Sequence, residues 1–172
     1  MRRPSRPVLA VASLLLSLCS ALAVQVAAAG PAHAASCYNT TCTGKDPQVQ
    51  GCAADSTTAW SAFWYTETVG VYFRRSATCQ AAWARLVDDR NPAGACDVKY
   101  AIRVQSRKYD QILDRYVVVS SQVLKEPLTG ADACGHTWWT KMVASSNTQE
   151  KVDVGTQYVD GIHWDGASSG WR

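Results

Sequence analysis

The chain has 172 residues, 47% of them hydrophobic and 18% charged, with 17 Lys and Arg against 14 Asp and Glu. The excess of three is carried by Arg2, Arg3 and Arg6, all in the first seven residues, and the remainder is formally neutral. A neutral body excludes a global field that collects nucleic acid or acidic membrane, and leaves only local charge to do such work.

The N-terminus opens with the arginine-bearing MRRPSRP, runs through the apolar VLAVASLLLSLCSALAVQVAAA and ends at PAHA. That order is a secretory signal peptide, and small Ala32 and Ala34 around His33 place cleavage after Ala34. Residues 1–34 are the signal and 35–172 a single exported domain. Leu18 before Cys19 is too large for lipid attachment, and PSRP after the arginine pair lacks the apolar residues of twin-arginine export. No later run approaches the roughly 18 apolar residues of a membrane span.

Six cysteines follow: Cys37, Cys42 and Cys52 within CYNTTCTGKDPQVQGC, then Cys79, Cys96 and Cys134. An even count behind an export signal reads as a disulfide framework. The C-x4-C and C-x9-C spacings, with His136 and His163 far downstream, do not suit a zinc site, and paired cysteines leave no catalytic thiolate. No metal or cofactor is expected. Pairing is open, although Cys96 and Cys134 precede alternate strands that begin at one end of a meander, which makes them the preferred pair if their loops fold inward.

Asp46-Pro47 suits a helix cap followed by a first-turn proline, with Gly51 ending the single turn. In GVYFRR (70–75) Val71 and Phe73 alternate with Tyr72 and Arg74, the mark of a strand. SATCQAAWARLV places Cys79, Trp83, Leu86 and Val87 on one helical stripe, capped by Ser76 or Thr78 and stopped by Asn91-Pro92 and Gly94. VKYAIRVQSR alternates again, with Val98, Tyr100, Ile102 and Val104 inward and Lys99, Arg103 and Gln105 outward. KYDQILD then turns the chain into the β-branched RYVVVSSQV, and TWWTKMVA and KVDVGTQYV complete the set. The predicted fold is mainly β: a small antiparallel sheet of about five strands curled towards a barrel, with one short helix, braced by disulfides.

GASSG (166–170) matches the G-x-S-x-G nucleophile pattern, but no helix can follow it before Arg172, so it reads as a flexible tail. Asp160, His163 and Asp165 in DGIHWDG would suit a general base; the Asp-Gly pairs favour a turn instead. Adjacent Trp138 and Trp139 must point to opposite faces of a strand, so one ring stays outside the core unless a loop covers it. Outward Arg74, Lys99 and Arg103 form a basic stripe if their strands are neighbours.

At CTGKDP, GCAADSTT, VYFRRSATCQAAWARL and WTKMV the chain resembles domain-of-unknown-function family 2690, secreted or envelope-associated domains of actinobacteria. The resemblance spans most of residues 37–143. Arg75 stands where the family more often has an aromatic and Ala77 where it often has proline, while Cys96 and Cys134 are additions. It implies an exported, small, cysteine-bridged domain and supplies no activity.

Together these features lead to an expected non-enzymatic binding domain at the cell envelope, with a glycan, an anionic wall polymer or a protein as ligand. Trp138, Trp139, Arg74, Lys99 and Arg103 are the candidate contacts. A secreted hydrolase, or an inhibitor of another exported protein, is the alternative. Nucleic acid is not an expected partner.

Overall fold

The computed structural model describes residues 34–64, 68–90, 98–125, 135–158 and 160–172. The leader up to residue 33, the Asn91-Pro92 and Gly94 stop signals, and Cys96 and Cys134 with their expected pairing lie outside these residues.

A 3-10 turn, Asn39–Cys42, precedes β1 (Thr57–Trp64), β2 (Val69–Ser76), β3 (Ala81–Asp88), β4 (Lys99–Asp110), β5 (Arg115–Lys125), β6 (Thr137–Trp139), β7 (Val143–Ala144), β8 (Gln149–Tyr158) and β9 (Gly161–His163). They build two antiparallel sheets. The first has the order β1-β2-β3-β6, with β7 also on β3; the second has the order β5-β4-β8-β9. The architecture is mainly β, and one sheet curls into a half-barrel.

The period-two pattern explains the main core. Val69, Val71 and Phe73 of β2 share one buried cluster with Tyr100, Ile102 and Val104 of β4 and Val152 and Val154 of β8, so side chains from both sheets meet in a common layer. Because alternate residues of each strand go to this layer, Arg103 and Arg107 of β4 are turned to the opposite face.

The segment read as a helix is strand β3. It is a central strand buried on both sides: Ala82, Ala84 and Leu86 enter the main core, while Ala81 and Trp83 enter a second cluster with Cys37, Cys42, Cys52, Cys79 and Met142. A strand with two buried faces loses its alternation, and its apolar run then also satisfies a helical stripe. Ser76 and Thr78 serve a tight turn, not a helix cap: the Ser76 hydroxyl donates to Asp55 Oδ1 at 2.5 Å, and the Thr78 and Cys79 amides donate to Asp55 Oδ2 and Ser76 Oγ at 2.9 and 3.0 Å. Gln80 completes the turn with φ of 45°.

The second cluster holds the N-terminal loop against the first sheet. Disulfides join Cys37 to Cys42 and Cys52 to Cys79, with Cα separations of 5.1 and 5.7 Å. Asp46 caps the turn before Cys52, accepting from the Gln48 and Val49 amides at 2.9 and 3.3 Å, and Gly51 follows with φ of 74°. Paired backbone bonds between Gly44, Lys45 and Met142 fasten the loop to the approach to β7.

The end of the chain is not a loose tail. Residues 166–172 run beside β8, with amide bonds from Gly166 to Val154, from Val154 to Ala167, from Ser169 to Val152, and both ways between Glu150 and Arg172. Backbone groups beside β8 need partners once buried, and this segment supplies them.

The two disulfides close loops of sequence separation 5 and 27. Chain entropy assigns them about 2 and about 3.5 kcal/mol. Denaturant melts of Cys37→Ser/Cys42→Ser and Cys52→Ser/Cys79→Ser should therefore rank in that order, with the second pair costing more; the reverse order would deny that loop closure sets the stabilisation.

Candidate functional site

The outward face of the second sheet gathers cations and aromatic rings. Arg103 on β4 lies opposite Asp153 on β8, and Arg107 lies opposite Gln149. Asp153 Oδ2 accepts from Arg103 Nε at 2.8 Å and pairs with Lys151 Nζ at 3.0 Å, while Oδ1 accepts from the Ser168 hydroxyl at 2.8 Å. Arg107 donates through Nε and Nη2 to Gln149 Oε1 at 3.0 and 2.9 Å. Register and alternation set these neighbours before any ligand is involved.

Rings then hold the cations from the side. The Arg103 guanidinium lies 4.3 Å from the Trp164 ring, and that of Arg107 lies 4.3 Å from Tyr116 and 4.2 Å from Trp171. Lys151 Nζ is 5.1 Å from Trp171, and Tyr109 meets Tyr116 edge to face at 5.3 Å. Trp171 belongs to the C-terminal segment docked along β8, and Trp164 to the link between β9 and that segment. Trp164 reaches its place because residue 155 is glycine: a Cβ there would stand 2.9 Å from Trp164 Cε3 and 2.7 Å from the His163 carbonyl oxygen.

Two cations, Arg103 and Lys151, thus flank one carboxylate, and Arg107 lies beside them on Gln149. Arg103 and Lys151 keep 24% and 20% of their side-chain surface open, against 9% for Asp153. Burial pushes the Asp153 carboxyl up, but the bonds from Arg103, Ser168 and Lys151 outweigh it and hold the group below the usual carboxylate range. The acid stays ionised as a fixed anchor, and the positive excess faces outward.

Beneath this face a second ion pair crosses between the sheets. Arg75 of β2 donates to Glu150 of β8 at 2.5 Å and to the Arg172 carbonyl oxygen at 3.2 Å. Burial raises the Glu150 carboxyl above its ordinary value, and this exceeds the opposing effect of the Thr148 hydroxyl and of Arg75.

Of the residues expected from sequence, only Arg103 lies in this arrangement. Lys99 shares its strand but is buried. Arg74 sits in the other sheet and donates to Thr58 Oγ1 at 2.6 Å and to the Ser56 carbonyl at 2.8 Å. The stripe of Arg74, Lys99 and Arg103 needed neighbouring strands, and β2 and β4 belong to different sheets. Trp138 packs on the main core and Trp139 on the cysteine cluster, where its Nε1 donates to Asp46 at 3.2 Å. The N-terminal loop is the cover that the second ring required.

Asp160 and His163 approach to 3.7 Å on the β8–β9 turn, with side chains 75% and 56% exposed. GASSG lies extended along β8, with Ser168 donating to Asp153 and Ser169 Oγ accepting from the Val152 amide at 3.0 Å. Neither forms the sharp strand-to-helix elbow of a serine nucleophile. Sequence reading did not single out Arg107, Lys151 and Asp153 as site residues; the outward positions of VKYAIRVQSR and KVDVGTQYV carried their signal.

The fold and this face define a disulfide-braced antiparallel β domain with a cation-aromatic surface. The family model described as a protein of unknown function (DUF2690) matches residues 40–151, and the chain belongs to that family. No curated protein and no solved structure matches it. Among the described residues no helix is long and apolar enough to cross a membrane.

Two expectations follow from the geometry. Gly155→Ala should displace Trp164 and cost about 1–3 kcal/mol, as overpacking does; unchanged tryptophan fluorescence and stability would contradict the contact. The pH dependences of the two acids have opposite signs. Asp153, with a lowered pKa, contributes stability that is complete above its ordinary value of 3.8 and is lost as pH falls through the folded value. Glu150, with a raised pKa, contributes stability present below 4.5 that is lost as pH rises through its folded value. Melts across pH should show Asp153→Asn flattening the acid limb and Glu150→Gln flattening the limb above it.

Proposed function

We propose that the domain is a secreted, non-enzymatic binding module of the cell envelope whose ligand is an anionic wall polymer. The observation that carries this reading is the group of Arg103 and Lys151 on the Asp153 carboxylate and Arg107 on Gln149, held against Trp164, Trp171 and Tyr116. Guanidinium groups match phosphate and carboxylate in shape and charge. Stacking against rings restricts the side chains before a ligand arrives, which lowers the entropy lost on binding. A broad sheet face suits a repeating polymer better than a small reacting molecule.

The leader sequence supports export, and the disulfides, with no spanning helix among the described residues, are consistent with an extracellular location. The hydrolase alternative would use Asp160 and His163, which lie on an exposed turn.

A protein ligand is the second reading, and β5 is the observation that favours it. Among the described residues this strand ends its sheet, and it exposes Val118, Val119 and Val123, while Ile112 on the adjoining turn is 95% exposed. Such an edge accepts an added strand through main-chain bonds.

Co-sedimentation with purified cell walls, at low and high salt and before and after chemical removal of the anionic polymer, tests the first reading. Retention should fall with salt and with polymer removal, and the Arg103→Ala/Arg107→Ala/Lys151→Ala variant should bind at least about tenfold more weakly, a loss of roughly 1.4 kcal/mol. Binding that is indifferent to salt and to the triple substitution would sink it.

A further inference from the structure

We propose that Cys37, Cys42, Cys52 and Cys79, once reduced, form a tetrathiolate site for one zinc ion, so that the same four sulfurs can hold the N-terminal loop in either redox state. The inference does not depend on what the cationic face binds.

The four Sγ atoms lie within 4.8 Å of one another. Zinc–thiolate bonds of about 2.3 Å in a tetrahedron set the sulfur–sulfur edge at about 3.8 Å. Cys37 Sγ and Cys52 Sγ, which belong to different disulfides, already stand 3.7 Å apart. Opening each bonded pair to the same edge requires side-chain rotation of cysteines whose Cα atoms are 5.1 and 5.7 Å apart.

The ligands come from three places in the chain. Cys37 and Cys42 flank and close the 3-10 turn, Cys52 follows the turn capped by Asp46, and Cys79 lies on the turn between β2 and β3. An ion would therefore cross-link the same segments that the disulfides cross-link. Sequence spacing spoke against zinc because C-x4-C and C-x9-C do not form the familiar close pair. The tertiary fold removes that objection by bringing Cys79 across 27 residues to Cys52.

The surroundings suit four sulfur ligands. Cys42, Cys52 and Cys79 are fully buried and Cys37 nearly so, and the cluster is lined by Ala81, Trp83 and Met142, with Trp139 packed against it. Apolar walls keep an unliganded thiol neutral, whereas a bound divalent cation favours the thiolate. A tetrahedral four-sulfur set selects zinc over the hard cations that take oxygen ligands. In the balanced sequence, two dithiol reductants convert the two protein disulfides to four thiols and themselves become disulfides. The four thiols then bind one Zn2+ and release four protons; oxidation by two disulfide equivalents reverses the process and frees the ion.

The test uses the full chain carrying Cys19→Ser, Cys96→Ser and Cys134→Ser, so that only these four cysteines remain. Cooperative melting of its oxidised form establishes that the variant folds. After phosphine reduction it is titrated with Co2+ and then with Zn2+. The expected result is one Co2+ per chain with the absorption of a tetrahedral tetrathiolate, its loss on adding one equivalent of Zn2+, and a melting temperature of the reduced chain that rises with zinc and falls with chelator. Adding Cys52→Ser/Cys79→Ser should abolish that spectrum. Uptake below one ion per chain, a spectrum of fewer than four sulfurs, or the same spectrum in the variant lacking Cys52 and Cys79 would each overturn the proposal.

Discussion

The arrangement of this domain depends on strand β3 being covered on both faces. Its inner side completes the core shared by the two sheets, and its outer side, with Ala81 and Trp83, would face water without the N-terminal loop. That loop has no strand of its own through which to join the sheet. Sulfur bonds, the Asp46 cap and the Gly44–Met142 backbone bonds hold it in place. The cystines are therefore part of the core itself, in contact with Trp83 and Met142, and they also restrict the unfolded chain.

Covering one sheet in this way leaves the outer side of the other available. The C-terminal segment takes the edge of β8, and with the link before it lays Trp164 and Trp171 over the sheet, where Arg103, Arg107 and Lys151 stack. Asp153 joins the two halves of this face, because one carboxylate receives Arg103 from β4, Lys151 from β8 and Ser168 from the C-terminal segment. Arg75 and Glu150 tie the same strand back to the first sheet. Charge that is formally neutral beyond the first seven residues is thus sorted by the fold into buried pairs and a half-buried cationic face.

What was legible in the sequence had local physical causes. The alternation of Val71 and Phe73, and of Tyr100, Ile102 and Val104, marked strands with one buried face, and Asp46-Pro47 marked a capped turn. Strand β3 was misread because burial on both sides erases the period of two, leaving Cys79, Trp83 and Leu86 to imitate a helical stripe. The C-terminal GASSG was misread because small polar residues signal a loose end unless an unpaired strand edge lies within reach, and β8 offers one. Arg74 and Arg103 look alike along the chain, yet belong to different sheets.

Composition, cysteine count and hydrophobic period were enough to establish a small β domain braced by disulfides, since each acts over a few residues or over the whole chain at once. Which cysteines meet, which cations share a face and which tryptophans are covered were decided only in three dimensions. Those outcomes depend on strand order and on pairing between residues as distant as Arg75 and Glu150 or Cys52 and Cys79. Local pattern carries no record of such pairings, because their energy appears only after the chain has closed the loops between them.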